Sequence, residues 1–338
     1  MPPARKNLPM NPLVTLSVAT LNRPGYFRQT LSSVLAQDYS NLDILVSDNG
    51  SRDETPSLAA ELIKNDRRAR FRRNDTTVPI HEHFTQCLEA ARGEFFILLC
   101  DDDLVSPNFV SEVVGVATRH SSVNLVVPAN VTIDENGEVI EEFSKPEGEI
   151  FDGPEFVKTW LWGPTPKIFI NLATVLGRTE VMRRFGGYQG FARGQNIDNL
   201  LFLQCGISGR IGFAHRALFS WRVYNRSYGT TSTPEQIAES SHEFVKHVLH
   251  DPRTVEALNA LPAARRKEIV DGVRIMTARE FLSRIDFFRE PFRRENFIRV
   301  FSFGFDPIFW HLVLHWYYRW VRNLFVPEAA KPAASACQ

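Results

Sequence analysis

Short apolar runs alternate with stretches of helical spacing through the first 130 residues, separated by polar turns. Leu13 to Thr20 is an apolar run with alternating β-branched residues and predicts a strand. From Gly25 onward, Phe27, Leu31, Val34 and Leu35 recur at helical spacing. Leu42 to Val46 predicts a second strand, which ends at Ser47-Asp48-Asn49-Gly50-Ser51 and leads into a helix from about Thr55 to Lys64. A short strand near Arg70-Phe71-Arg72 and a helix from about Ile80 to Ala91 come next. Phe95 to Cys100 is an unbroken apolar run, which reads as a strand buried on both faces. It ends in three carboxylates, Asp101-Asp102-Asp103. Ser106-Pro107 predicts a helix start, with Ser as N-cap and Pro at the first helical position. Val123 to Pro128 predicts a further strand. This β-α-β-α order predicts an α/β fold with a doubly wound, mostly parallel sheet.

The pattern changes near residue 130. Val131-Thr132-Ile133 and Val139-Ile140 flank Asp134-Glu135-Asn136-Gly137, a hairpin signal. Residues 145–170 carry four prolines together with Trp160 and Trp162, and read as a loop-rich segment bordering a cleft. The two Trp rings either face the cleft or pack in a core or interface. Gly186-Gly187-Tyr188 marks a turn, and Asn196 to Cys205 predicts a helix. Strands return at Ile211–Phe213 and Leu218–Val223, and beyond about Pro234 the chain reads as helices. No internal repeat is visible.

The 338 residues are 43% hydrophobic and 23% charged, a globular composition, and 39 basic residues balance 39 acidic ones. That balance argues against a nucleic-acid partner. Cys87, Cys100, Cys205 and Cys337 form no C-x-x-C pair and read as reduced thiols in a cytoplasmic protein. Residues 1–12 are Pro-rich and polar, a flexible tail without the apolar stretch of an export signal. No window reaches the ~18 uninterrupted apolar residues of a membrane span.

The acidic triplet changes this picture most. Three carboxylates at the tip of a buried strand repel one another, and a divalent cation neutralises them better than water does. Open α/β sheets carry ligands at strand ends. The triplet therefore points to Mg²⁺ or Mn²⁺ held by oxygen ligands, together with something phosphorylated.

Four segments taken together resemble family 2 glycosyltransferases of the GT-A fold, over about the first 225 residues. Val18-Ala19-Thr20-Leu21-Asn22-Arg23 is similar to the family's first-strand signature, with Ala19 where Pro is common. Val46 to Thr55 looks like its second-strand acidic motif. Asp101-Asp102-Asp103 followed by Pro107 resembles its metal-binding motif, with Cys100 in place of an acidic residue. Ile197-Asp198-Asn199-Leu200 looks like the segment carrying its catalytic base. Tyr224 stands where some members carry His after Tyr-Arg, which leaves Arg222 and Arg226 as candidate phosphate contacts.

The resemblance implies a Rossmann-like GT-A sheet with a helical C-terminal extension. It also implies an inverting transfer of a sugar from a nucleoside diphosphate donor to a glycan or lipid-linked acceptor, in surface polysaccharide assembly. Asp102 is the expected metal ligand, with Asp103 sharing the ion and Asp101 facing the ribose. Asp48 is expected to accept a hydrogen bond from the base, against the alternative of a plain Asp-Asn-Gly turn. Thr20 and Arg23 are expected to line the nucleotide pocket. Asp198 is the expected general base, against the alternative of an acidic residue in a helix's first turn. His81 and His83 read as solvated residues at a helix start. A sugar-nucleotide hydrolase or nucleotidyltransferase and a non-catalytic sugar-binding partner are the rival classes. The expected division is residues 13–128 for the nucleotide half, 129–232 for the acceptor half, 233–326 for a helical region and 327–338 for a disordered tail. Ile308 to Phe325 mixes Trp, Tyr and Phe with Arg and resembles an interfacial membrane helix, which suggests peripheral attachment at the inner face of the cytoplasmic membrane.

Overall fold

A computed structural model describes residues 11–163, 175–191, 195–224, 231–285, 300, 301, 303 and 306–324. Strands β1 (Val14–Thr20) and β2 (Leu42–Asp48) are buried along their whole length, and β4 (Phe95–Cys100) nearly so. Helices cover both faces of these strands, which is why their apolar runs are continuous rather than alternating. β1 pairs in parallel with β2 on one side and β4 on the other, and β2 pairs in parallel with β3 (Ala69–Arg73). From β1 the chain moves outward through α1 (Pro24–Leu35), β2, α2 (Thr55–Ile63) and β3. Helix α3 (Ile80–Glu89) then returns it across β1 to β4. The two directions of travel part between β1 and β4, the switch point where such sheets place ligands.

The sheet continues through β5 (Leu104–Val105), β6 (Val123–Ile133), β7 (Val139–Glu142), β8 (Ile150–Asp152), β9 (Leu176–Arg178) and β10 (Arg210–Arg222). Its order is β3-β2-β1-β4-β9-β6-β10-β5, with β7 beside β6 and β8 beside β10. β6 and β10 are parallel, whereas β9 runs antiparallel between β4 and β6. One apolar layer joins α1, α2 and α4 (Phe109–Arg119) to the sheet. The other joins α3, α5 (Gly153–Trp162), α6 (Thr179–Arg184) and α7 (Ile197–Ile207).

Several expectations shift. Helix α4 begins two residues later than predicted, because Ser106 Oγ donates to Asn108 Oδ1 (2.8 Å) instead of capping. β6 runs unbroken through Pro128, and β10 joins the two predicted strands across a register shift between Ala214 and Leu218. The segment expected to be loop contains α5, capped by Asp152 with Pro at the start. Its first residue must be Gly, since a Cβ at Gly153 would lie 2.0 Å from the carbonyl oxygens of Gly206 and Gly209. Part of the expected loop, 164–170, lies outside the described residues, as do the tail at 327–338 and most of that at 1–12.

The C-terminal helices are α8 (Pro234–His250), α9 (Pro252–Asn259), α10 (Ala263–Arg284) and α11 (Pro307–Leu324). A reciprocal Thr233–Gln236 capping box opens α8. Ile269 and Val273 of α10 enter the same core as α5 and α7. Ala278, Phe281 and Leu282, one turn further on, meet Ile237 of α8 and Phe309 of α11 in a second cluster. No described helix is long and apolar enough to cross a membrane.

Candidate active site

The carboxyl ends of β1 and β4 lie side by side, with Ala19 opposite Cys100 and Thr20 opposite Asp48 of β2. Above them opens a cavity of about 540 Å³. Its walls include Thr20, Arg23, Asn49, Cys100, Asp102, Asp198 and Trp221. The volume lies within the range of small-molecule sites. A second hollow of about 460 Å³ on α8, around Glu239 and Lys246, is away from the strand ends.

The turn after β1 is fixed by a left-handed residue, Asn22 (φ 50°), a conformation Asn tolerates better than most. Its N–H donates to Ser51 Oγ (2.8 Å), and its Oδ1 accepts from Arg52 N–H (2.8 Å). This ties the β1 turn to the loop after β2 and sets Arg23 over the acidic triplet. Arg23 Nη1 donates to Asp101 Oδ1 (2.9 Å) and to Asp102 Oδ2 (2.7 Å). Tyr224 O–H also donates to Asp102 Oδ2 (2.9 Å).

The three carboxylates differ in role. Asp101, expected to face the ribose, instead braces β1: its Oδ2 accepts from Thr20 Oγ1 (2.8 Å) and Leu21 N–H (3.1 Å). Burial pushes its carboxyl up to about 6, with Arg23 pulling the other way. Asp103, expected to share the metal, is 2% exposed and accepts the Arg222 N–H at Oδ1 (2.9 Å). Burial and the neighbouring Asp102 charge raise its carboxyl well above the usual range. Asp102 keeps an oxygen, Oδ1, that takes no hydrogen bond from the described residues, and it is the least buried of the three carboxylates. Cys100 lines the cavity with its thiol held neutral by burial and the three acids beside it.

Arg222 does not fit the expected phosphate contact. It is 1% exposed. Its Nε donates to the Asp102 carbonyl (2.8 Å), Nη1 to the carbonyls of Asp134 and Glu135 (3.1 and 3.0 Å), and Nη2 to Gln29 Oε1 (2.9 Å). Four of its five N–H donors are committed, so a phosphate would have to displace them. Arg222 clamps the acidic loop to the β6–β7 hairpin instead. Arg226 lies outside the described residues.

Asp48 is fully buried, beside the cavity rather than on its wall. Its carboxylate accepts from the Ser51 N–H and hydroxyl and forms an ion pair with Arg73 Nε (3.1 Å). The next residue, Asn49, reaches the wall. His83 is not the solvated residue expected: it is 3% exposed, with Nε2 2.9 Å from Ser47 Oγ.

Asp198 sits in the first turn of α7, behind Asn196 in the left-handed region (φ 63°). Ser240 of α8 donates to the Gln195 carbonyl (2.9 Å) and accepts from Asn196 Nδ2 (3.2 Å). The C-terminal helices thus hold the loop that presents Asp198. Helix α10 adds Glu280, whose carboxyl is raised by burial and by the Asp198 charge, with Arg284 opposing. Trp160 packs edge-on to Phe202 (5.1 Å), and Trp162 Nε1 donates to the Glu268 carbonyl (2.8 Å). Neither lines the cavity. Tyr188, Gln195, Trp221 and Glu280 were not singled out from the sequence, since no local signal marks them.

Among the described residues no three His, Cys, Asp or Glu side chains converge on a metal-binding point. Mg²⁺-type ions at phosphate sites commonly use one or two carboxylates plus the substrate's own oxygens. Asp102 Oδ1, which takes no hydrogen bond from the described residues, fits that arrangement.

Residues 15–174 match the profile described as Glycosyl transferase family 2. An undecaprenol-linked glycan β-1,3-glucosyltransferase, "GalNAc(5)-diNAcBac-PP-undecaprenol beta-1,3-glucosyltransferase" of Campylobacter jejuni, is 30% identical over 135 residues, 39% of this chain and 42% of that protein. An uncharacterized glycosyltransferase of Haemophilus influenzae is 30% identical over 103 residues, 30% of this chain and 32% of that protein. The chain thus spans less than half the length of either relative. Among solved structures, S. aureus TarS 1–349 with UDP-GlcNAc superposes with a TM-score of 0.65 at 16% identity, covering 86% of this chain and 82% of that one. The mannosyltransferase PcManGT from Pyrobaculum calidifontis with GDP-Man and Mn²⁺ gives 0.53 at 15% identity, covering 86% and 85%. With the parallel half-sheet, the acidic strand end and these matches in place, the chain has the GT-A fold, and just under half of it, residues 15–174, resembles the family 2 glycosyltransferases.

Proposed function

We propose that this chain is an inverting glycosyltransferase. It moves a sugar from a nucleoside diphosphate-sugar to a hydroxyl of a glycan or lipid-linked glycan. The observation that carries the reading is that Asp102 and Asp198, far apart in sequence, line one cavity at the strand switch point. Asp102 would hold Mn²⁺ or Mg²⁺, which when bound offsets the charge growing on the departing diphosphate. Thr20 and Asn49 bound the side of the cavity assigned to the nucleotide. Asp101, Asp103 and Arg222 keep the acidic loop rigid. Asp198 accepts the proton of the attacking hydroxyl as the new C–O bond forms. Attack from the face opposite the diphosphate inverts the anomeric centre.

In this reading residues 13–128 form the nucleotide half, 129–232 the acceptor half and 233–326 a supporting helical region. We place the protein in the cytoplasm, peripheral at the membrane surface, in surface polysaccharide assembly. Two observations support that placement: the lipid-linked acceptor named for the Campylobacter relative and the exposed apolar side chains of α11, Leu314 and Tyr318.

Donor turnover with Mn²⁺ across UDP- and GDP-sugars, with polyprenyl-linked glycans as acceptors, tests the reading. Asp198→Asn is expected to lower kcat by about 10²–10⁴-fold while donor affinity holds. Metal-dependent donor binding without transfer by the wild type would instead favour a binding module. Release of free sugar with acceptor present would favour a hydrolase.

A further inference from the structure

Arg23 is an unusual neighbour for a metal-binding carboxylate. It enters at the end of β1, directly before Pro24 at the start of α1. A single nitrogen, Nη1, bridges Asp101 and Asp102. Its Nε and Nη2 make no hydrogen bond with the described residues, and the side chain is 34% exposed. The guanidinium lies 5.8 Å from the Tyr224 ring, which in turn packs against Tyr26 at 5.2 Å. The Arg23 fork is therefore half used. Its unused N–H groups match the paired oxygens of a phosphate.

A divalent ion on Asp102 would stand next to this guanidinium, and like charges repel. The two cations compete for one carboxylate. A diphosphate relieves the conflict, because it offers Arg23 new partners beside the N-terminus of the twelve-residue α1, where anions are favoured.

We infer that Arg23 is a resident counter-ion for Asp102, displaced by the divalent ion only when a diphosphate arrives to receive the guanidinium. This rests on the donor-and-metal reading above and deepens it: metal and nucleotide binding are coupled through one side chain. The coupling is reciprocal, so each ligand tightens the other by the same factor.

The test is Mn²⁺ binding to the full chain, read as loss of the free-ion EPR signal, with and without UDP or GDP. In the wild type the nucleotide is expected to tighten Mn²⁺ by about 10-fold or more, within the usual span of coupling. In Arg23→Gln, Mn²⁺ alone binds about 10-fold tighter than in wild type, and the nucleotide adds correspondingly less. Arg23→Lys keeps the charge on a flexible stem and falls between the two, and it serves if the Gln variant does not fold. The inference is overturned if both folded variants bind Mn²⁺ no tighter than wild type. If the wild type binds neither Mn²⁺ nor either nucleotide, the donor reading itself falls.

Discussion

His83 carries a pH signature in solution that a solvated histidine would lack. Burial, with the Arg72 charge adding to it, lowers its pKa from 6.5 to about 4. The native state keeps the ring neutral, whereas an unfolded chain takes up a proton below about pH 6.5. Between those values the unfolded state binds more protons, so stability falls as pH falls through the window and is steady above it. Urea unfolding at pH 7 and pH 5 should show wild type losing about 2 kcal/mol more than His83→Gln. Equal losses would mean the ring is solvated. The sequence could not show this, because helical spacing says which residues share a face but not which face another element covers. Asp48 was hidden for the same kind of reason. Its turn chemistry was legible, but not the Arg73 and Ser51 partners that draw its carboxylate under the cavity. That Thr20, Arg23 and Asp102 close or follow buried strands was legible because apolar runs precede them. The commitment of Arg222 depends on carbonyls some ninety residues away in the hairpin.

Strands β1, β2 and β4 were readable because burial on both faces removes polar interruptions. Helix α5 forms in a segment whose crowd of prolines reads as loop, although Asp152-Gly153-Pro154 is a helix-start signal. β10 reads as two strands because its register shift falls at the polar His215-Arg216 step. Helix α11 is an element whose packing answers half a question. Phe309 and Val313 face the α10 core, whereas Leu314 (64%) and Tyr318 (66%) face outward. No acidic residue lies between Pro307 and Leu324, and the sequence there includes Arg319 and Arg322. Exposed apolar side chains on a helix whose sequence carries basic and no acidic residues suit an anionic lipid surface. The full chain should co-sediment with phosphatidylglycerol vesicles more than with phosphatidylcholine vesicles, less so at high salt. Leu314→Ser with Tyr318→Ser should weaken that binding by about 10-fold or more. Equal sedimentation with both lipids, or none with either, would contradict a membrane role for α11.

At the scale of the whole molecule, the parallel half-sheet supplies the acidic strand ends and the C-terminal helices hold the loop bearing Asp198. Ser240 and Glu280 belong to helices that sequence patterning reads only as an appendage, yet they brace or border the segment that carries Asp198. The account depends on Asp102 joining a divalent ion to a nucleoside diphosphate. Thermal unfolding with Mn²⁺ and a panel of UDP- and GDP-sugars measures this directly, since a ligand at about a hundred times its Kd adds about 2.7 kcal/mol to native stability. At least one sugar nucleotide should raise the wild-type Tm by several degrees with Mn²⁺, and the rise should vanish with chelator or in Asp102→Asn. A rise that survives in Asp102→Asn, or a wild type that no sugar nucleotide stabilises, would contradict the account.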